Sequence, residues 1–162
     1  MDDPLVTDDA RGVIADLTLR RQTLATAESL TAGLVAATLA GVPGSSVVLR
    51  GGLVTYTEPT KIALAGVARQ LLAKVGPVAA PTARALAVGA HERCDATWGV
   101  GVTGVAGPDP HGGHPVGTVF VGITGPVGTE VMELTLSGSR WDIRLAAAHQ
   151  AISRLRTLVE QQ

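Results

Sequence analysis

Aromatic side chains make up 2% of the 162 residues, so the interior has to be built from Ala, Val, Leu and Ile within a hydrophobic share of 46%. Cysteine occurs once, at Cys94. That excludes an internal disulfide and a cysteine-based zinc site, and it fits a reducing compartment. Charge of one sign is missing too: the net charge is −1 and no basic block stands out, which argues against a nucleic-acid partner. No apolar run reaches the roughly 20 residues of a membrane helix, and Met1-Asp2-Asp3-Pro4 lacks the basic-then-apolar pattern of a secretion signal. The expectation is a cytoplasmic protein with no membrane partner. Lysine is the last scarcity, Lys61 and Lys74 standing against eleven arginines.

What is present reads as one domain, 1–162, long enough for a three-layer core. The stretch Thr26-Ala27-Glu28-Ser29-Leu30-Thr31-Ala32-Gly33 lies between a short apolar segment (residues 23–27) and Leu34–Ala40, whose apolar residues recur at helical intervals before Gly41. A strand feeding a helix is expected there, with Ser29 as its N-cap and the first-turn N–H groups facing whatever lies ahead. On that reading Ser29 and Thr31 simply cap the helix while Glu28 favours its positive end. Thr7-Asp8-Asp9 opens an earlier helix carrying Val13, Ile14 and Leu17.

After a turn at 41–46, the β-branched run 47–56 contains the pair Gly51-Gly52, which suggests a bulge or a close backbone approach. Thr57-Glu58-Pro59 starts a short helix with Lys61 in its first turn. Helical pieces follow at 68–75 and 81–93. A central strand at 96–102 leads into the Gly/Pro-rich loop 103–115, and loops of that length are usually functional. Alternating segments at 117–124 and 129–136 flank Gly125-Pro126-Val127-Gly128, a hairpin signal. Ser139 caps a final helix to about Glu160, striped by Ile143, Ala147, Ala151, Leu155 and Leu158. The fold class is therefore α/β: a three-layer α/β/α arrangement whose mixed sheet includes one antiparallel hairpin.

Several motifs fall in register with one known family. Thr26 to Gly33, Gly44-Ser45-Ser46, Gly52 to Tyr56, Lys61 with Gly66-Val67, Thr103-Gly104-Val105-Ala106-Gly107-Pro108, Pro115 to Val119 and Gly138-Ser139-Arg140 resemble the CinA C-terminal domain family over residues 7 to 160. The resemblance implies a nicotinamide-nucleotide amidase, which deamidates nicotinamide mononucleotide (NMN) without a cofactor, and a homodimer. This chain departs from the family pattern at Leu30 (usually Cys), Ala32 (usually Gly), Thr57-Glu58-Pro59 (commonly Ser-Asn before an acidic or small residue), Ser139 (usually Asp) and His114 (usually Lys or Arg).

Under that resemblance Ser29 is the nucleophile and Lys61 the base, acting directly or through Tyr56. Arginine stays protonated, whereas a buried lysine can be pushed toward the neutral amine, a chemical reason for a lysine in this position. The N–H groups at the start of the helix after Ser29 would form an oxyanion hole. The substrate-binding set comprises Glu28, Thr31, Gly33, Ser45, Ser46, Thr103, Gly104, Gly107, Arg140 and Arg144. Within it Arg140 or Arg144 grips the phosphate, helped by Ser45, Ser46 or Thr103, and Glu28 either orients Lys61 or holds a ribose hydroxyl. His111 and His114 have no carboxylate at ligand spacing, so no metal is expected. Two rival readings remain: a nucleotide- or partner-binding module that keeps the fold without turnover, and an amidase for another heterocyclic amide.

Overall fold

The computed structural model describes residues 3–162. Helix α1 (Asp8–Arg20) is capped by the Thr7 side chain, which accepts from the Ala10 N–H, and buries Ala10, Val13, Ile14 and Leu17. Strand β1 (Leu24–Glu28) is buried throughout. Helix α2 (Leu34–Ala40) then returns the chain, through a 3₁₀ turn at Ser45–Val47, to β2 (Leu49–Val54). Three helices follow, α3 (Glu58–Ala65), α4 (Arg69–Val75) and α5 (Ala80–Arg93), before β3 (Trp98–Gly104), the hairpin β4 (Thr118–Gly125) and β5 (Gly128–Thr135), and the long α6 (Arg140–Glu160).

The sheet runs β2-β1-β3-β4-β5. Strand β1 pairs in parallel with β2 and β3, whereas β3, β4 and β5 are successively antiparallel. One face is covered by α1, α2 and α6 through a core that includes Leu17, Leu39, Trp98, Val121 and Ile152. The other face carries α3, α4 and α5 over Ala25, Ala27, Leu72 and Leu86. The expected three-layer architecture, hairpin and central strand are all present. The chain leaves β1 toward β2 on one face and returns past β1 to β3 on the other, so the connections diverge between β1 and β3. In open sheets of this kind ligands bind at that divergence, outside the C-terminal ends of the strands.

Scarcity of rings is met by close backbone packing. A Cβ built on Gly101 would collide with backbone atoms of Ala83 and Ala87, and one on Gly122 with the Ala83 carbonyl, so alanine-rich α5 lies almost directly on β3 and β4. The Gly51-Gly52 pair has both features expected of it. Pairing with β1 slips by one residue at Arg50, and a Cβ on Gly52 would lie 2.9 Å from that of Ala36. The close partner is the chain's own α2. The alanines of α6 are packed inside: Ala147, Ala148 and Ala151 are fully buried. Among the described residues no helix is long and apolar enough to cross a membrane.

Gly101→Ala is expected to cost about 2–3 kcal/mol in urea unfolding, because the backbone of α5 cannot retreat from the sheet. Gly44→Ala, in open space at φ +86 and ψ 0, should cost only about 1–2 kcal/mol, the penalty for a left-handed residue bearing a side chain.

Candidate active site

Three segments leave the C-terminal ends of the parallel strands side by side. Ser29 follows β1 and its N–H donates to the Val102 carbonyl at 2.8 Å; Thr55 follows β2 and its N–H donates to the Glu28 carbonyl at 2.8 Å. The loop after β3 supplies Thr103 to Gly107. Between them opens a cavity of about 240 Å³, lined by Ser29, Leu30, Tyr56, Lys61, Thr103, Gly104, Ala106, Gly107 and Arg140, with Pro77, Val78, Val105, Asp109 and His111 completing the wall.

Ser29 is not the helix cap that its position suggested. Helix α2 starts later, at Leu34, behind Gly33 at φ +99, and no side chain of the capping residue bonds its amides. The carboxylate of Glu28 does so from the strand end, with Oε1 accepting from the Val35 N–H at 2.9 Å and Oε2 from the Ala36 N–H at 3.1 Å and the Thr26 hydroxyl at 3.1 Å. Two expectations fall with this. The α2 amides are occupied and cannot form an oxyanion hole, and Glu28, fully buried and away from the cavity, neither orients Lys61 nor reaches a ligand. The gain is that the Ser29 hydroxyl is released from capping.

That hydroxyl meets Lys61. The capping box of Thr57 with Thr60 starts α3 one turn before Lys61, and the lysine stem runs inward until only 1% of the residue is exposed. Its Nζ donates to Ser29 Oγ at 3.0 Å and to the Thr55 carbonyl at 2.8 Å. Burial lowers its pKa from 10.5 to about 8, against a smaller opposing pull from the Glu58 carboxylate. The amine is therefore mostly protonated at neutral pH and becomes half neutral near pH 8.

The remaining expected residues divide. Gly104 and Gly107 line the cavity. Thr103 lines it too, but its hydroxyl donates to the Pro77 carbonyl at 2.6 Å, so its one proton cannot also serve a phosphate. Tyr56 stands at the rim, half-exposed, and its oxygen accepts from Arg140 Nη2 at 2.9 Å. It bonds neither Ser29 nor Lys61, which leaves the direct contact between those two as the proton route. Arg140, the first residue of α6, also donates to the Gly107 carbonyl and, among the described residues, is the only arginine on the cavity wall, which it shares with Lys61.

Arg144, one turn later, turns away. Its Nε donates to the Leu30 carbonyl at 2.8 Å and its Nη2 to that of Thr31 at 3.4 Å, so Arg140 rather than Arg144 can grip an anion. Thr31 and Gly33 lie outside the cavity. Ser45 and Ser46 sit before β2, at the opposite end of the strands: Ser45 Oγ donates to the Ala40 carbonyl at 3.1 Å, and the neighbouring Val48 carbonyl accepts from Leu24, the first residue of β1. The helix α2 has carried the chain back across the sheet, which removes both serines from the site.

His111, exposed in the loop, also lines the cavity, and Pro77, Val78 and Asp109 were not anticipated there. For Pro77 the available signal was the helix-stopping Gly76-Pro77 pair; nothing local tied it to Thr103.

The family profile described as the CinA C-terminal domain matches residues 7–159. The chain belongs to that family. Among curated relatives, a CinA-like protein of Frankia casuarinae is 43% identical over 94% of this chain and 35% of its own length. A CinA-like protein of an Anaeromyxobacter species is 48% identical over 89% and 35%. The CinA domain thus spans about a third of the length of these relatives. Among solved structures, the competence/damage inducible protein CihA of Agrobacterium tumefaciens superposes with a TM-score of 0.88 at 35% identity, covering 94% of this chain and 97% of that one. A CinA superfamily protein of Enterobacter cloacae gives 0.91 at 25% identity, with 98% and 96% covered.

Two measurements probe this part of the CinA domain. Glu28→Ala orphans two buried helix amides and should lower unfolding stability by about 3 kcal/mol, Glu28→Gln by less. For Lys61 the folded pKa lies below the unfolded one, so between pH 8 and 10.5 the unfolded chain binds more protons and stability rises with pH. Relative to Lys61→Met, the wild type should gain about 3 kcal/mol across that window in denaturant titrations.

Proposed function

We propose that this CinA domain is an amidohydrolase that converts nicotinamide mononucleotide to nicotinate mononucleotide and ammonia, in pyridine-nucleotide salvage in the cytoplasm. The observation that carries the reading is the 3.0 Å contact between Ser29 Oγ and a buried Lys61 whose pKa is lowered to about 8, at the foot of a cavity. When Lys61 is neutral, its lone pair accepts the Ser29 proton along that contact while the Thr55 carbonyl holds the amine in place. Ser29 Oγ then adds to the carboxamide carbon. Lys61 returns the proton to the departing nitrogen, ammonia leaves, and water deprotonated by the same amine hydrolyses the ester. On this reading Arg140, held toward the cavity by Gly107 and Tyr56, takes the phosphate. No cofactor enters this scheme, and a homodimer belongs to the proposal on family grounds alone.

Ammonia release from NMN by the purified chain tests the reading. Activity should rise as the pH climbs through about 8, since only the neutral amine takes a proton. Ser29→Ala and Lys61→Met should each lower kcat by at least about 10⁴-fold, and Arg140→Ala should raise KM by roughly tenfold or more with a smaller effect on kcat. Calorimetric binding of the nucleotide with no ammonia released would favour the turnover-free binding module. Ammonia from other heterocyclic amides but not from NMN would favour the alternative amidase.

A further inference from the structure

The segment joining Ser29 to α2 is held from outside the cavity. It turns through Ala32 at φ +48 and Gly33 at φ +99, a conformation that a side-chain-bearing residue adopts at a cost of about 1–2 kcal/mol. Within it the Ala32 N–H donates to the Ser29 carbonyl at 3.0 Å, and the Leu30 and Thr31 carbonyls face α6. There Arg144 meets both, through Nε at 2.8 Å and Nη2 at 3.4 Å, with its guanidinium carbon 5.9 Å from the centre of the Trp141 ring. Leu30 lines the cavity beside Ser29, and its N–H donates to no acceptor among the described residues. The N–H of the residue after a nucleophile is a recurrent oxyanion donor. With the α2 amides taken by Glu28, it is the free donor nearest the reacting oxygen in sequence.

We infer that Arg144 is a positioning residue, which fixes the strained turn so that Ser29 Oγ and the Leu30 N–H converge on one reacting centre. The inference rests on Ser29 acting as nucleophile, as proposed above, and it gives the two arginines of α6 different tasks. Arg140 faces the ligand and governs its capture. Arg144 faces the carbonyl side of the turn and governs the rate of attack. A displacement of about 1 Å in such a site costs on the order of 10²-fold in rate, comparable with loss of one oxyanion donor.

The test follows the modification of Ser29 by a fluorophosphonate, read by mass spectrometry of the intact chain and of the Ser29 peptide. In that reaction Ser29 Oγ bonds to phosphorus, fluoride leaves and Lys61 takes the hydroxyl proton, so the readout does not depend on which amide is the substrate. Arg144→Met should label roughly 10²-fold more slowly than wild type, with the pH midpoint still near 8 because Lys61 is untouched. Arg144→Lys, which can still reach one of the two carbonyls, should recover part of the rate. Melting curves for both variants confirm that folded protein is compared. Wild-type labelling with an equally fast, folded Arg144→Met would overturn the inference alone. A wild type whose Ser29 stays unlabelled would overturn the nucleophile reading and this inference together.

Discussion

The buried carboxylate of Glu28 is the interaction on which the site depends. By accepting the Val35 and Ala36 amides, it caps α2 from the end of the neighbouring strand and allows the helix to begin five residues after Ser29 rather than immediately behind it. A buried helix end needs acceptors for its first amides, and some group had to provide them. Because Glu28 does, the serine hydroxyl is free for a different partner. The intervening turn bears the cost as backbone strain at Ala32.

The second requirement is a lysine that has lost its water. An exposed lysine near pH 7 is a cation and no base. Lys61 is enclosed by the turn it bonds and by the helix that delivers it, so its charged form is disfavoured by burial while two oxygens still hold the nitrogen in place. Such a group opposes folding at neutral pH, and the rest of the core has to compensate for it. Compensation comes from the alanine and glycine packing of α5 on β3 and β4, which brings backbones into van der Waals contact without ring-bearing side chains.

The site also shows how one helix can serve two ends. Ser139 and Asp142 form a capping box that fixes where α6 begins. That start places Arg140 at the cavity mouth and Arg144, one turn on, behind the Ser29 turn. Residues four apart lie along one face of a helix, yet here a helix crossing the cavity edge sends one guanidinium to the opening and the other behind the wall.

Periodicity and caps in the sequence were enough for the α/β class, the hairpin, the order of the elements and their approximate limits, because these depend on contacts among neighbouring residues. The scarcity of lysine in an arginine-rich chain also singled out Lys61, which the fold buries against Ser29. Sequence could not determine the cap of α2, the direction of Arg144, the engagement of Thr103 with Pro77 or the removal of Ser45 and Ser46 to the far end of the sheet. Each depends on which residues the crossovers bring together across tens of positions, and hydrogen-bonding capacity used by one partner is no longer available to another. Local pattern lists the groups that can bond; only the closed fold decides which of them remain free to do chemistry.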